Sequence, residues 1–303
     1  MSRKTVYIVL GIFALIYAGL SVGLPPDPAT LARYHLSSTQ DRLLVLTIVI
    51  PFVAIWWAAF YGYYGLKRYS GLVKKSADGK AYSVIADGLG ILAISLPISQ
   101  ITSTLLTYQA RVHPGFLTAS KIINGYMALA FSLAAYLVIS YGVNLLVGTI
   151  QGFGTIGNRR NYDIFMLLFI VLTAIYSYLI FTNSSGHNAT LYGMPDWLIL
   201  FTIVTPYLYT WYIGFVAILR LHLYQSKVRG IVYRRPLHFL TLGIFSVLAT
   251  SILLQFLTAV SDALVNLKLA PLLALLYLIV IVFSFGYILI AYGAKQLTKI
   301  EEV

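Results

Sequence analysis

Apolar runs of 20 or more residues recur along this chain, and they restrict its fold more than any other feature. Of the 303 residues, 59% are hydrophobic and only 10% are charged, whereas soluble domains carry about 25% charged residues. Runs of this length are typical of membrane-spanning helices, because the strands of a membrane barrel are short and alternate polar with apolar residues. The sequence therefore predicts an all-α integral membrane protein.

The positions of these runs predict eight transmembrane helices. The predicted spans are 5–24, 41–66, 82–108, 121–150, 163–182, 196–221, 237–265 and 270–294. Polar segments separate them, including a hydrophilic loop over Ser70–Lys80, and a charged tail over Lys295–Val303 closes the chain.

A second copy of residues 41–69 follows at 196–224, at a constant offset of 155 residues. Ten of the 29 aligned positions are identical, where an apolar-biased chain gives roughly three by chance. The same offset pairs Gly88 with Gly243, and Ser140-Tyr141-Gly142 resembles Ala291-Tyr292-Gly293 at a slightly different offset. We therefore expect two four-helix membrane repeats, 1–150 and 151–303. Each has an even number of spans, so the repeats should be parallel and related by an axis along the membrane normal.

The first apolar run follows Arg3 and Lys4, so it is either a membrane anchor or a cleaved signal peptide. Ala14-Leu-Ile-Tyr17 resembles Thr173-Ala-Ile-Tyr176 in the fifth predicted span. A run that belongs to a repeat is retained, and we therefore favour the anchor.

Basic residues are distributed unequally between alternate loops. With a cytoplasmic N-terminus, 16 of the 21 lysines and arginines lie in inner segments and five in outer segments. The positive-inside rule then places both termini in the cytoplasm, in a multi-pass protein of the cell (inner) membrane. Insertion and contact with anionic lipid account for the net charge of +12, so we expect no nucleic-acid partner.

Polar stripes on two predicted helices are the first candidates for a ligand site. The stripe in 237–265 has a helical spacing and consists of Ser251, Gln255, Thr258 and Asp262. The stripe in 82–108 consists of Gln100, Ser103 and Thr107, with Ser99 and Thr104 adjacent. Either both stripes line a polar vestibule that opens to the outside, or they form hydrogen bonds between helices.

Prolines and tryptophans repeated in both copies are further candidates. Pro51 and Pro206 each remove a backbone donor inside a predicted span, which produces either a hinge or a fixed kink. Trp56 and Trp211 lie near the middle of the membrane, where an indole N–H requires a partner. They either pack the two halves together or form a wall of a ligand pocket.

Acidic residues inside the membrane are scarce. Asp41 and Asp196 begin their predicted spans, and we expect them to cap those helices. Asp87 lies about one turn into its span. It serves either in proton coupling or, with Lys80 nearby, as a favourable charge near a helix N-terminus.

The chain lacks the residues of the common membrane enzymes and cofactor proteins. It contains no cysteine, no mid-helix histidine pair for haem, no mid-helix lysine for retinal and no hydrolase motif. We expect no enzymatic activity, no cofactor and no metal. The leading interpretation is a transporter or permease-like protein for a small solute. A sensor or assembly subunit that acts through its cytoplasmic face and C-terminal tail is the alternative, and a structural subunit is a third. The expected partners are the lipid bilayer, a small-molecule or ion ligand, and another membrane protein or a second copy of the chain.

Overall fold

The computed structural model describes residues 3–25, 28, 31–32, 35–113, 117–149, 205–227, 231–259 and 269–301. Every element in these ranges is helical. The seven helices are α1 Arg3–Gly23, α2 Ser38–Leu72, α3 Ala77–Val112, α4 Leu117–Gly148, α5 Thr205–Lys227, α6 Ile231–Ala259 and α7 Leu269–Glu301.

Five of these helices are long and apolar enough to cross a membrane. They are Lys4–Gly23, Ser38–Leu72, Asp78–Val112, Met127–Gly148 and Leu273–Glu301. The chain is therefore a multi-pass membrane protein whose exposed apolar faces contact lipid. The predicted span 163–182 and the beginning of 196–221 lie outside the described residues, so the count of eight spans stays a prediction. Helices α5 and α6 are the described parts of the sixth and seventh predicted spans.

Helix α2 begins earlier than predicted, and this corrects the assignment of its N-cap. The cap is Ser37, whose hydroxyl accepts a bond of 3.3 Å from the Gln40 backbone N–H. The Gln40 side-chain oxygen in turn accepts a bond of 2.8 Å from the Ser37 N–H, which completes a capping box. Asp41 therefore does not cap the helix. It lies in the first turn, where its side chain is almost completely buried.

Two segments that were predicted as loop or tail are helical instead. Helices α2 and α3 are joined by a turn over 73–76, so most of the predicted loop Ser70–Lys80 is helix. Helix α7 continues to Glu301, so most of the predicted charged tail is also helix.

Six of the helices form a closed ring of contacts, in the order α2, α3, α4, α5, α6, α7 and back to α2. Helix α1 packs against α2 and α3, and it leaves Ile8 and Leu15 largely exposed. The largest fully buried side chains are aromatic, and they include Trp56, Trp211 and Tyr136.

Glycines bring α3 and α4 into close contact at two levels. A Cβ atom at Gly88 of α3 would lie 2.9 Å from the carbonyl oxygen of Ala135 and 3.0 Å from the amide nitrogen of Ile139. A Cβ atom at Gly142 of α4 would lie 2.8 Å from the amide nitrogen of Ile85. These positions therefore accept no larger residue without a backbone shift.

The same kind of contact joins α6 and α7. A Cβ atom at Gly243 would lie 2.6 Å from the carbonyl oxygen of Gly286 and 2.8 Å from the amide nitrogen of Ile290. A Cβ atom at Gly293 would lie 2.9 Å from the amide nitrogen of Leu240. Backbones at this distance leave no room for a Cβ atom at either glycine and fix how the two helices cross.

At one end of the ring lie the α2–α3 turn, the end of α5, the beginning of α6 and the end of α7. Side-chain bonds join these segments: the Tyr224 hydroxyl donates to Asp78 at 3.3 Å, and the Tyr233 hydroxyl donates to Glu301 at 3.2 Å. We call it the inner end, because the distribution of basic residues predicts that it faces the cytoplasm. The opposite end is called the outer end.

Candidate functional site

Two of the predicted ligand-binding residues form a hydrogen bond with each other. The indole N–H of Trp56 donates to the side-chain oxygen of Gln100 at 3.2 Å, across the contact between α2 and α3. The ring of Tyr17 from α1 lies 5.3 Å from the Trp56 ring, between centroids. Trp56 is fully buried. Gln100 thus forms the interhelical hydrogen bond that was one of its two interpretations.

The backbone carbonyl freed by Pro51 has a hydrogen-bond partner on another helix. A proline at this position leaves the carbonyl oxygen of Thr47 without its helical donor. The Tyr277 hydroxyl of α7 donates to that oxygen at 2.7 Å. This bond satisfies the freed carbonyl and holds α2 against α7, as expected of a fixed kink. Pro206 is the second described residue of α5, and its carbonyl accepts a bond of 2.7 Å from the Thr210 hydroxyl.

The polar stripe predicted in 82–108 lies on α3, and its outer part lines a recess of about 350 Å³ at the outer end. The recess lies between α1, α2 and α3, and its polar lining includes Ser103, Thr104, Thr107, Asp41 and Arg111. The outward part of the stripe, beyond Gln100, therefore borders a space that a small solute can enter.

The polar stripe predicted in 237–265 lies largely outside the described side chains. Ser251 is half-buried in α6, whereas the side chains of Gln255 and Thr258, and residue Asp262, are outside the described part of the chain. Trp211 of α5 is fully buried. The convergence of the two stripes on one shared space therefore stays a prediction.

A cavity at the inner end was not predicted from the sequence. It has a volume of about 790 Å³ and lies at the inner end, between the α2–α3 turn and the ends of α5, α6 and α7. Its polar lining includes Tyr69, Tyr82, Asp78, Tyr224, Tyr233 and Glu301. We call it the inner cavity. A signal was present in the sequence, because Tyr69 and Tyr224 are identical positions of the two copies.

Tyrosine hydroxyls and carboxylates are paired around the inner cavity. Besides the Tyr224–Asp78 and Tyr233–Glu301 bonds, the rings of Tyr69 and Tyr82 pack edge to face with centroids 5.1 Å apart. Tyr233 precedes the predicted span 237–265. Partial desolvation and the Glu301 carboxylate raise the pKa of its phenol, so it stays a neutral donor.

Two buried tyrosines of α4 and α7 have hydroxyls that are not satisfied. Neither Tyr136 nor Tyr287 has a hydrogen-bond partner of good geometry in the described structure, although the Tyr136 hydroxyl lies near Ser251. Both side chains are almost fully buried, and they are close enough to interact electrostatically. Buried polar groups normally have a partner, so these two hydroxyls are exceptions within the described part of the chain.

Asp87 has a different partner from the one expected. Its carboxylate lies 2.6 Å from the Lys67 ammonium of α2, which also donates to Ser83 at 2.9 Å. Lys80 is therefore not its partner. Because both side chains are more than a third exposed, the pair contributes little to stability. It fastens α2 to α3 near the inner end.

The fold and its polar spaces thus define a multi-pass membrane protein with an outer recess and an inner cavity. Within the described ranges, no group of three or more histidines and acidic residues is arranged to hold a metal ion. Comparisons with protein-family models, with curated proteins and with solved structures found no match.

Proposed function

We propose that this protein is a small-solute transporter built from two parallel repeats, with the inner cavity as its inward-facing binding site. The observation that carries the proposal is the lining of that cavity. Tyr69 and Asp78 come from the first half of the chain, and Tyr224 and Glu301 come from the second. In transporters built from repeats, the substrate site lies between the repeats.

The glycine contacts support the duplication. The α3–α4 contact of Gly88 with Ile139 corresponds to the α6–α7 contact of Gly243 with Ile290. The glycines are 155 residues apart, and the isoleucines are 151 residues apart. The same two offsets relate residues 41–69 to 196–224 and Ser140-Tyr141-Gly142 to Ala291-Tyr292-Gly293. A common ancestral helix pair explains why the same backbone approach is found twice.

The exchange of helices between the halves also supports a twofold relationship. Helix α2 of the first half packs against α7, the last helix of the second half. Reciprocally, α5 of the second half packs against α4, the last helix of the first. A rotation that interchanges the halves converts one contact into the other, as a parallel repeat requires.

The inner cavity is lined by cations as well as acceptors, because Lys74 and Lys75 are on its lining together with Asp78 and Glu301. This mixture favours a small polar solute that carries both donor and acceptor groups. Asp78 and Glu301 each accept one hydrogen bond from a tyrosine hydroxyl, and each has further lone pairs for a ligand. The tyrosine hydroxyls also accept bonds, and the aromatic rings cover the apolar part of a solute. We propose that the unsatisfied hydroxyls of Tyr136 and Tyr287 replace part of the hydration shell as the solute moves on.

Uptake into proteoliposomes tests the proposal. The full-length protein is reconstituted and given a panel of radiolabelled amines, polyols and amino acids. We expect uptake of at least one class above that of empty liposomes. Asp78→Asn and Tyr224→Phe should reduce this uptake about tenfold or more, because the first removes a negative charge from the site and the second removes the hydroxyl that donates to Asp78.

Tyr141→Phe is the matched control, because Tyr141 is exposed on α4 and lines none of the described cavities. It should transport like the wild type. Uptake that is unchanged in Asp78→Asn and Tyr224→Phe, or absent for every solute, would contradict the transporter proposal.

The second candidate function is a sensor or assembly subunit. The specific observation in its favour is the Tyr233–Glu301 bond, which ties the end of α7 to the beginning of α6 beside the inner cavity. A ligand in that cavity would change the position of the C-terminal helix end. Ligand-dependent binding of a cytoplasmic partner, without uptake, would favour this function.

A further inference from the structure

A groove on the lipid-facing side of the inner end has the features of a binding site for a phosphate head group. It lies between α2 and α7 and has a volume of about 320 Å³. Tyr61, Tyr64, Gly65 and Arg68 of α2 line one side, and Ala291 and Lys295 of α7 line the other. This groove is separate from the inner cavity.

The floor of the groove is set by the close approach of the two helices. A Cβ atom at Gly65 would lie 3.2 Å from the Cα atom of Ala291. Arg68 and Lys295 each lie one turn further toward the inner end, and both are exposed. The two cations therefore flank the same groove, and no acidic side chain lines it within the described part of the chain.

Apolar side chains lie on the same helix faces as the lining residues, further toward the middle of the membrane. Trp57 is on the same face of α2 as Tyr61 and Arg68, and Ile288 is on the same face of α7 as Lys295. The exposed fractions are 39% for Trp57 and 49% for Ile288. The Trp57 ring is held in place, because Tyr7 of α1 stacks on it with 4.9 Å between centroids.

We propose that this groove binds an anionic phospholipid. Arg68 and Lys295 bind the phosphate, Tyr61 and Tyr64 line the groove beside it, and an acyl chain lies along Trp57 and Ile288. Basic pockets between transmembrane helices on the cytoplasmic side bind anionic head groups by the same combination of charge and depth. A soluble phosphate has the same head-group chemistry but no acyl chain to contact Trp57 and Ile288. We therefore infer that the occupant is a lipid.

Quenching of tryptophan fluorescence by brominated lipid tests this site. Phosphatidylglycerol with bromine on its acyl chains is titrated into the full-length protein in detergent, and phosphatidylcholine with the same chains serves as the zwitterionic comparison. We expect saturable quenching by the anionic lipid, with a component that Trp57→Phe removes. In Arg68→Gln/Lys295→Gln, the lipid concentration needed should rise about tenfold or more, because each basic residue contributes to attraction of the anionic head group.

Two further variants separate a site from general attraction. Lys80→Gln/Lys227→Gln removes the same charge from exposed positions at the inner end that do not line the groove, and it should bind like the wild type. Arg68→Lys/Lys295→Arg keeps both charges and should retain binding, which controls for misfolding.

Three results would overturn the lipid site. The first is equal weakening of binding in the control and in Arg68→Gln/Lys295→Gln. The second is quenching by phosphatidylcholine at the same concentrations. The third is displacement of the lipid by millimolar glycerol 3-phosphate, which would assign the basic pair to a soluble phosphate.

Discussion

At the scale of single residues, three positions that have identical counterparts in the second half of the sequence contact one another. Tyr17, Trp56 and Gln100 form one cluster in the first half, and their counterparts are Tyr176, Trp211 and Gln255. A buried indole N–H requires an acceptor. The bond between Trp56 and Gln100 therefore has a physical reason that does not depend on transport.

Gln100→Leu tests the structural role of this pair. The substitution leaves the buried Trp56 N–H without an acceptor, and it should lower the free energy of unfolding by about 1–3 kcal/mol. Unfolding of the detergent-solubilised protein, followed by tryptophan fluorescence, measures the loss. Adding Trp56→Phe should cost less than the sum of the two single substitutions, because the unsatisfied donor is then absent.

Ser103→Ala provides the comparison for that measurement. Ser103 borders the outer recess, and its removal should change the stability by less than about 0.5 kcal/mol. Stability that stays near the wild-type value in Gln100→Leu would contradict a structural role for the glutamine. It would favour the alternative interpretation of Gln100 as a ligand-binding residue.

At the scale of helices, the sequence predicted the existence of the spans better than their ends. The apolar run of α7 stops near residue 294, whereas the helix continues to Glu301. An apolar run reports where the bilayer ends, but a helix ends where its backbone finds a cap. The sequence carries the capping box of α2 as Ser37 followed by Gln40, four residues before the apolar run that begins at Asp41. Boundaries read from hydropathy are therefore short at the beginning of α2 and at the end of α7.

The glycine seams lead to a prediction for paired substitutions. A Cβ atom at Gly88 or at Gly243 meets backbone atoms of the neighbouring helix at 3.0 Å or less. Gly88→Ala and Gly243→Ala should therefore each destabilise the protein, by about 1–3 kcal/mol. Gly19→Ala has open space around its Cβ atom, and it should be neutral or slightly stabilising because alanine favours helix. Thermal unfolding of the three variants measures the difference, and equal melting temperatures would contradict the close packing of both seams.

At the scale of the whole molecule, composition was enough to identify a membrane protein, but not to locate its cavities. The inner cavity forms where segments distant in sequence meet, such as the α2–α3 turn and the end of α7. No local pattern encodes that meeting. The identical residues Tyr69 and Tyr224 marked two of its walls. They did not indicate that the walls face one space, because this depends on the packing order of the helices around the ring.

The orientation of the ring in the membrane gives the last prediction. Ser76 lies in the α2–α3 turn at the inner end, and His113 follows α3 at the outer end, and both are exposed. Because the chain has no native cysteine, Ser76→Cys and His113→Cys each carry a single thiol. The excess of basic residues at the inner end predicts that Ser76 faces the cytoplasm. A membrane-impermeant maleimide should therefore label His113→Cys in intact cells and Ser76→Cys only after permeabilisation. Ser95→Cys, at a buried position of α3, should stay unlabelled in both conditions. The reverse pattern would indicate that the inner end faces outward. Labelling of both exposed thiols from one side would contradict a membrane-spanning α3.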